Sequence, residues 1–153
     1  MQVRIVDIDP QGALAQGLLD DAALEVRPLY EKAPTDSASP PANTPRGPRD
    51  CYVAAFIKDT PVGCGALREF DLVSAEAQRI YVCPEHRRKG VARAVLLHLI
   101  AEARRLRYQR IILETGNRQA AAAALYRDAG FKRIAPFGEY VADPTSICFE
   151  LLV

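Results

Sequence analysis

The sequence predicts an α+β fold in which a mixed sheet is covered by helices. Three observations point there: short apolar β-branched runs recur between turn residues, apolar residues at helical spacing fill the stretches between them, and the segments alternate as β, α, β, β, β, α, β, α, β, β. At 153 residues the chain reads as a single domain, residues 1–153, long enough to bury one core without metals or disulfides. No internal repeat is visible.

The first strand is Gln2 to Asp7, where apolar and polar side chains alternate until Asp9-Pro10 breaks the pattern. Residues 11–31 carry Leu14, Leu18, Leu19, Ala22, Leu24, Val26 and Leu29 at mostly helical spacing. Gly17 and Pro28 interrupt them, so the segment reads as one or two helices. From Pro34 to Pro48, five prolines, one glycine and small polar residues exclude regular structure; a loop of that length is either functional or disordered. Cys51–Lys58 and Val62–Phe70 are strands joined as a hairpin across Asp59-Thr60-Pro61. The strand Ala77–Val82 follows, with Ile80 and Val82 on one face, and Pro84 ends it because it lacks a backbone donor. Val91, Ala94, Val95, Leu97, Leu99 and Ile100 mark an amphipathic helix to about residue 106. Arg110–Glu114 is an apolar strand, Thr115-Gly116-Asn117 turns the chain, and an alanine-rich helix runs from about Arg118 to Ala129, capped by Gly130. Phe131–Ile134 and Ile147–Leu152 finish the sheet, separated by turns around Pro136–Tyr140 and Asp143-Pro144.

Arg87-Arg88-Lys89-Gly90-Val91-Ala92 lies between an apolar strand and the start of a helix. Free N–H groups and the positive end of the helix dipole gather there with cationic side chains, which makes an anion site, best suited to a phosphate or pyrophosphate. A charge run is more often a solvated turn. Two features weigh against that reading: Gly90 and Ala92 leave the backbone open to a ligand, and the loop issues directly from the strand. No glycine-rich run ending in Gly-Lys-Ser/Thr and no Gly-x-Gly-x-x-Gly after a strand is present, which disfavours nucleoside triphosphates and dinucleotides.

Twenty Lys and Arg against nineteen Asp and Glu give a net charge of +1, so no global field selects nucleic acid or a membrane surface. The first residues lack the apolar run of a signal peptide and no stretch approaches transmembrane length, which makes the cytoplasm the expected location. Cys51, Cys64, Cys83 and Cys148 lack the short spacings of a zinc knuckle or redox dithiol and are expected as buried free thiols, with no metal. His86 and His98 are assigned no chemistry.

Arg87-x-x-Gly90-x-Ala92, after a strand ending Tyr81-Val82-x-Pro84, resembles the acyl-CoA signature of the GNAT superfamily of N-acetyltransferases, in its small single-domain bacterial form. Four other segments fall in that family's order: the Cys51–Phe70 hairpin, Arg110–Thr115, Gln119–Phe131 with Leu125-Tyr126 and Gly130-Phe131, and the terminal strand pair. The resemblance spans nearly all of the chain outside the proline-rich loop. It implies a mostly antiparallel twisted sheet of about six to seven strands with one splayed parallel pair, flanked by about four helices. It also implies acetyl-CoA as cosubstrate, and acetyl transfer to the primary amine of a small molecule, amino-acid-like among the options, by direct attack in a ternary complex. Acetylation of a protein or peptide and a non-catalytic acyl-CoA sensor are the alternatives. A homodimer is a frequent assembly in that family.

The resemblance also distributes roles. Amides of Arg88, Lys89, Gly90, Val91 and Ala92 would hold the coenzyme A pyrophosphate, while Arg87, Arg88, Lys89 and Arg93 neutralise phosphate charge. The Ile80–Val82 strand would splay from Arg110–Glu114 through a bulge, and an amide of Tyr81 or Val82 would polarise the thioester carbonyl. Where the family often carries Asn, seven residues ahead of its Tyr, this chain has Gln119, whose amide offers a cofactor contact on a longer stem. Tyr126 takes the general-acid position, since a phenol with a pKa near ~10 stays protonated at neutral pH; it equally suits a helix aromatic covering the core. Glu76 is the first candidate base, directly or through water, with an ion pair to Arg79 or Arg68 as its structural alternative. Glu114 is the second, or else orients substrate or caps the next helix. Tyr30, Arg79, Phe137 and Tyr140 would face the acceptor, Arg79 either binding an acceptor carboxylate or pointing to solvent. The Pro34–Pro48 loop would lid that site.

Overall fold

A computed structural model describes residues 2–30 and 43–153, with the side chains of residues 26–30 outside the description. In chain order the elements are β1 (Arg4–Asp7), α1 (Ala13–Tyr30), β2 (Cys51–Ile57), β3 (Thr60–Glu69), β4 (Ser74–Val82), α2 (Val91–Arg105), β5 (Arg110–Gly116), α3 (Ala120–Asp128), β6 (Lys132–Ile134) and β7 (Ser146–Leu152). Single 3-10 turns at Pro84–His86 and Gly138–Tyr140 complete the set. One sheet holds all seven strands in the order β1-β2-β3-β4-β5-β7-β6. Every neighbouring pair is antiparallel except β4 with β5.

This is the mostly antiparallel sheet with one parallel pair that the sequence implied. Among the described residues there are three α-helices where about four were expected, because residues 13–30 form one helix that runs through Gly17 and Pro28. The β2–β3 turn is also tighter than expected. Ile57 pairs with Thr60 and Phe56 with Pro61, so only Lys58 and Asp59 make the turn, and Lys58 takes a φ of +55°. Pro61, which has no N–H, is tolerated because it stands at the strand's start, opposite an irregularity in register between Ala55 and Phe56.

The two faces of the sheet differ in kind. On one, Val53, Leu67, Ala77, Ile111, Leu113 and Phe149 pack against Val91, Val95, Leu96 and Leu99 of α2 and against Ala123 and Tyr126 of α3. Each fully buried Leu or Ile in that layer contributes about 1.5–3 kcal/mol. On the other face, beneath α1 with its buried Ala15, Leu18 and Leu19, the strands carry Tyr52, Arg68 and Glu76, polar and yet buried.

The β4–β5 pairing runs from Ser74 with Arg110 to Ala77 with Leu113 and ends there, although β4 continues to Val82 and β5 to Gly116. The cause lies on the opposite edge of β4. Ala66 pairs with Gln78 and Cys64 with Tyr81, so β4 spends one residue more than β3 across the same step. That bulge carries Arg79 at a φ of +62° and bends the strand away from β5. The Cys64 thiol donates to the Arg79 carbonyl at 3.1 Å.

Close contact beside the bulge requires glycine: a Cβ on residue 63 would lie 2.5 Å from the main-chain oxygen of Tyr81. Gly63→Ala should therefore lower stability by about 1–3 kcal/mol, the usual cost of overpacking against an obstacle that cannot rotate aside. The check is the midpoint of urea unfolding, and an unchanged midpoint would mean that β4 yields freely at Tyr81.

Candidate active site

Parallel strands deliver their carboxyl ends to the same edge of a sheet, and there β4 leads to α2 and β5 to α3, so two helix N-termini flank the gap. In the connection before α2, Arg88 and Gly90 both take left-handed conformations, with φ of +62° and +79°. Gly90 is the N-cap and supplies no side chain, and the space around its Cα is open. Ala94 is the first residue of this helix whose N–H finds a carbonyl, Gly90 at 3.0 Å; the amides of Val91, Ala92 and Arg93 have no acceptor among the described residues. Exposed Arg88, Lys89 and Arg93 surround them. Helix-start amides without an acceptor among the described residues, a dipole end and three cations thus meet around an open glycine, the features expected of an anion cradle.

Arg87 is engaged differently from the neighbours it was grouped with. Its Nη2 lies 2.6 Å from Glu25 of α1 and its Nε donates to the Val82 carbonyl at 3.0 Å, so it ties the loop to α1 and to the end of β4. Its guanidinium stands 5.8 Å from the ring centre of Tyr81, itself half-buried next to the buried Val82. In the turn before it, His86 buries an Nδ1 that has no partner among the described residues.

Across the gap, Gln119 is the N-cap of α3, and Tyr126 lies one face inward on that helix. The Tyr126 ring is buried, with ring centres 5.9 Å from Phe131 and 6.0 Å from Phe149. Burial first, then the charge of Glu114, pushes its phenol up to about 12, so it holds its proton throughout the neutral range. Core packing and proton donation are therefore compatible in this one residue. Glu114 sits on β5 just past the last β4–β5 pair, half-buried, and accepts from the Ser146 hydroxyl at 2.6 Å.

On the α1 face a cleft of about 180 Å³ is walled by Arg46, Phe70, Glu76, Phe137, Glu139 and Tyr140. Glu76 is only 2% exposed. Arg46 Nη1 meets its Oε1 at 2.8 Å, and the Tyr140 hydroxyl donates to its Oε2 at 2.8 Å. Its ion pair is thus with Arg46, and neither Arg79 nor Arg68 fills that place. Each carboxylate oxygen keeps a further lone pair. Phe137 stands edge-on to Phe70 and to Tyr140, at centroid distances of 5.4 and 5.3 Å, which fixes the aromatic wall. Burial, with Glu76 as the next cause, raises the Tyr140 phenol far above its usual range.

A hydrogen-bonded chain extends from this cleft. Gln78 donates to the Tyr140 oxygen at 3.4 Å and accepts from Arg68 Nη1 at 2.9 Å; Arg68 Nε donates to the Tyr52 hydroxyl at 3.1 Å, which donates to Asp50 at 2.8 Å. Arg68 Nη2 reaches the Thr44 carbonyl. Arg79 is half-buried beside this chain, with Nε 3.4 Å from the Asn43 amide oxygen.

Sequence reasoning placed Glu76, Phe137, Tyr140 and Arg79 near the acceptor; the structure brings Glu76, Phe137 and Tyr140 together in this cleft, whereas Arg79 lines a second, smaller pocket with Asn43 and Tyr52. It missed Asn43, Thr44 and Arg46, which come from the end of the proline-rich segment, and also Tyr52, Arg68 and Gln78. Arg68 had a signal: it is a charged residue inside an apolar strand run. The side chain of Tyr30 and residues 34–42 of the suspected lid lie outside the described residues. Of the described part of that segment, residues 43–48, Arg46 lines the cleft.

All four thiols are free, and burial raises Cys51 and Cys64 to about 12, which leaves them unreactive. Away from the gap, the ligand atoms of Asp7, Cys51 and His98 lie within 4.8 Å of one another. No described helix is long and apolar enough to cross a membrane.

Residues 18–131 match the family model described as Acetyltransferase (GNAT) family. The chain is 40% identical to the uncharacterized N-acetyltransferase YsnE of Bacillus subtilis over 104 residues, 67% of this chain and 69% of that protein. A solved structure from Klebsiella pneumoniae, whose acyl-CoA N-acyltransferase activity is an assignment, superposes with a TM-score of 0.76 at 30% identity over 97% of this chain and 95% of its own. The fold is shared as well with a GNAT family acetyltransferase of Elizabethkingia anophelis, solved with acetyl-CoA bound, at a TM-score of 0.70 and 18% identity over 99% of this chain and 98% of that one.

Tyr140→Phe isolates one of the two donors to Glu76. Losing a hydrogen bond to a buried charged group should lower stability by about 1.5–3 kcal/mol, read from guanidinium chloride unfolding. A loss near zero would show that Arg46 alone satisfies the carboxylate.

Proposed function

Since the chain belongs to the GNAT family of acetyltransferases and is an N-acetyltransferase, we propose that it moves the acetyl group of acetyl-CoA to the primary amine of a small molecule, by direct attack in a ternary complex. The observation that carries this reading is the parting of β4 from β5 after Ala77 and Leu113, with an amide cradle at one end and the Glu76 cleft on the α1 side. The residues present fit the cosubstrate. Amides of Arg88 to Ala92 would take the pyrophosphate, and Arg88, Lys89 and Arg93 its charge. Arg87 would shape the loop through Glu25, and Gln119 would offer a further contact from the start of α3.

In the reacting complex an amide of Tyr81 or Val82 would donate to the thioester oxygen as charge develops there. The amine nitrogen forms the new bond to the acyl carbon while the carbon–sulfur bond breaks. Glu76 would accept the amine's proton, directly or through water, and Tyr126 would give one to the departing thiolate. Glu114, Phe137 and Tyr140 would position the acceptor. An open cleft of only about 180 Å³ suits a small amine better than an extended peptide. The proposal keeps the sequence-based expectations of one domain over residues 1–153 and a cytoplasmic location, and adds from the family a homodimer, which sedimentation checks.

The test is coenzyme A release, followed by thiol detection, across amino acids, polyamines, aminoglycosides and short peptides. Release that depends on one amine class establishes the reaction; acetyl-CoA binding without amine-dependent release would replace it with a sensor. Tyr126→Phe should lower turnover about 10- to 1000-fold while acetyl-CoA still binds, and full activity would remove its role as acid. Glu76→Gln should cost about 100- to 10,000-fold in kcat. A purely structural Glu76 would instead show an altered melting temperature with kcat preserved.

A further inference from the structure

We propose that Arg79 is the anchor of a carboxylate-binding subsite, so that the amine accepted by this enzyme carries a carboxylate within a few bonds of its nitrogen. The inference rests on the acetyl-transfer reading and narrows it to one acceptor class, amino-acid-like amines.

The first support is where Arg79 stands. It is the extra residue of the β4 bulge and holds a φ of +62°, a region that arginine rarely enters. Such a conformation costs on the order of 1–3 kcal/mol and persists where the surroundings impose it, commonly at functional sites. The bulge already suffices to part β4 from β5, and glycine would serve that purpose without strain. Strain and splay therefore account for the backbone, and they leave the guanidinium to be explained.

The second support is a count of charges on the α1 face. Three guanidinium groups, Arg46, Arg68 and Arg79, share this region, and each of the other two weakens the protonation of Arg79, whose pKa burial lowers first. Arg46 is neutralised by Glu76. Arg68 and Arg79 meet only neutral oxygens among the described residues: Arg68 those of Tyr52, Gln78 and Thr44, and Arg79 that of Asn43. Arg79 uses only Nε there, at 3.4 Å, so its terminal nitrogens are uncommitted among the described residues. A half-buried cation with weak neutral company is costly until an anion arrives, and a planar guanidinium matches a carboxylate in bidentate geometry.

The third support is proximity. Arg79 precedes by two and three residues the Tyr81 and Val82 amides that would face the thioester. Arg79 lines a small pocket with Asn43 and Tyr52, which the Tyr52–Arg68–Gln78–Tyr140 chain connects to the larger cleft, where Glu76 and Glu139 offer the opposite charge to an ammonium.

The test compares each of a panel of free amino acids with its own carboxamide, the same amine without the charge. In the wild-type enzyme kcat/KM should favour the free carboxylate by about 30-fold or more, the loss expected when one partner of a buried charge pair is removed. In Arg79→Met that ratio should fall to within about threefold of unity, and Arg79→Lys, which keeps charge without the fork, should lie between. Titration calorimetry of the same pairs in the presence of coenzyme A gives the ratio independently of turnover. If amines are acetylated without regard to the carboxylate, or Arg79→Met keeps the wild-type preference, the subsite is overturned and acetyl transfer stands. If no amine releases coenzyme A, the acetyl-transfer reading fails, and a binding preference abolished by Arg79→Met would still establish the subsite.

Discussion

The end of pairing between β4 and β5 is the constraint on which the rest of the molecule depends. A parallel pair buries its backbone groups in a shared ladder, and here that ladder stops at Ala77 and Leu113 although both strands run on, β4 to Val82 and β5 to Gly116. Unpaired backbone persists in a folded protein only where water or a ligand can reach it. The gap is therefore open to water or a ligand by its physics, before any likeness to other proteins is considered.

Holding that gap open requires support from elsewhere. The β3 edge supplies it: β3 stays paired to β4 through Tyr81 and Val82, the Cys64 thiol bonds to the Arg79 carbonyl, and the absence of a side chain at residue 63 lets Tyr81 approach closely. The apolar layer of α2 and α3 lies on the opposite face and supplies most of the burial. A division of labour follows. One face of the sheet stabilises, and the other is free to carry buried polar groups that an apolar core would reject.

Much of this was legible in the sequence because strands and helices announce themselves by periodicity. The signature loop announces itself by what glycine and cations do at a helix start. Boundaries moved where one residue mattered: Thr60 and Pro61 joined β3 because a two-residue turn suffices once Lys58 turns left-handed. The bulge itself was expected only through resemblance, since one surplus residue in a strand leaves no mark on hydrophobic alternation. The partners of Glu76 were illegible for a different reason. Arg46 and Tyr140 lie 30 and 64 residues from it in sequence, and each sits in a segment whose composition reads only as loop.

Those two partners give Glu76 a second identity. One carboxylate oxygen holds the segment that ends the proline-rich stretch, through Arg46, and the other holds the 3-10 turn at Gly138–Tyr140. Both segments wall the cleft. A single buried carboxylate therefore ties together two segments that wall the proposed acceptor pocket, one of them only a single 3-10 turn, and does so at the position proposed for proton transfer. A hub of this kind would couple geometry to chemistry, because removing the carboxylate would withdraw the proposed base and the hydrogen bonds to both walls together. Loss of activity on substitution cannot by itself separate the two. A released wall weakens acceptor binding and raises KM, whereas a missing base lowers kcat with the acceptor still bound, so the two roles divide between different kinetic constants.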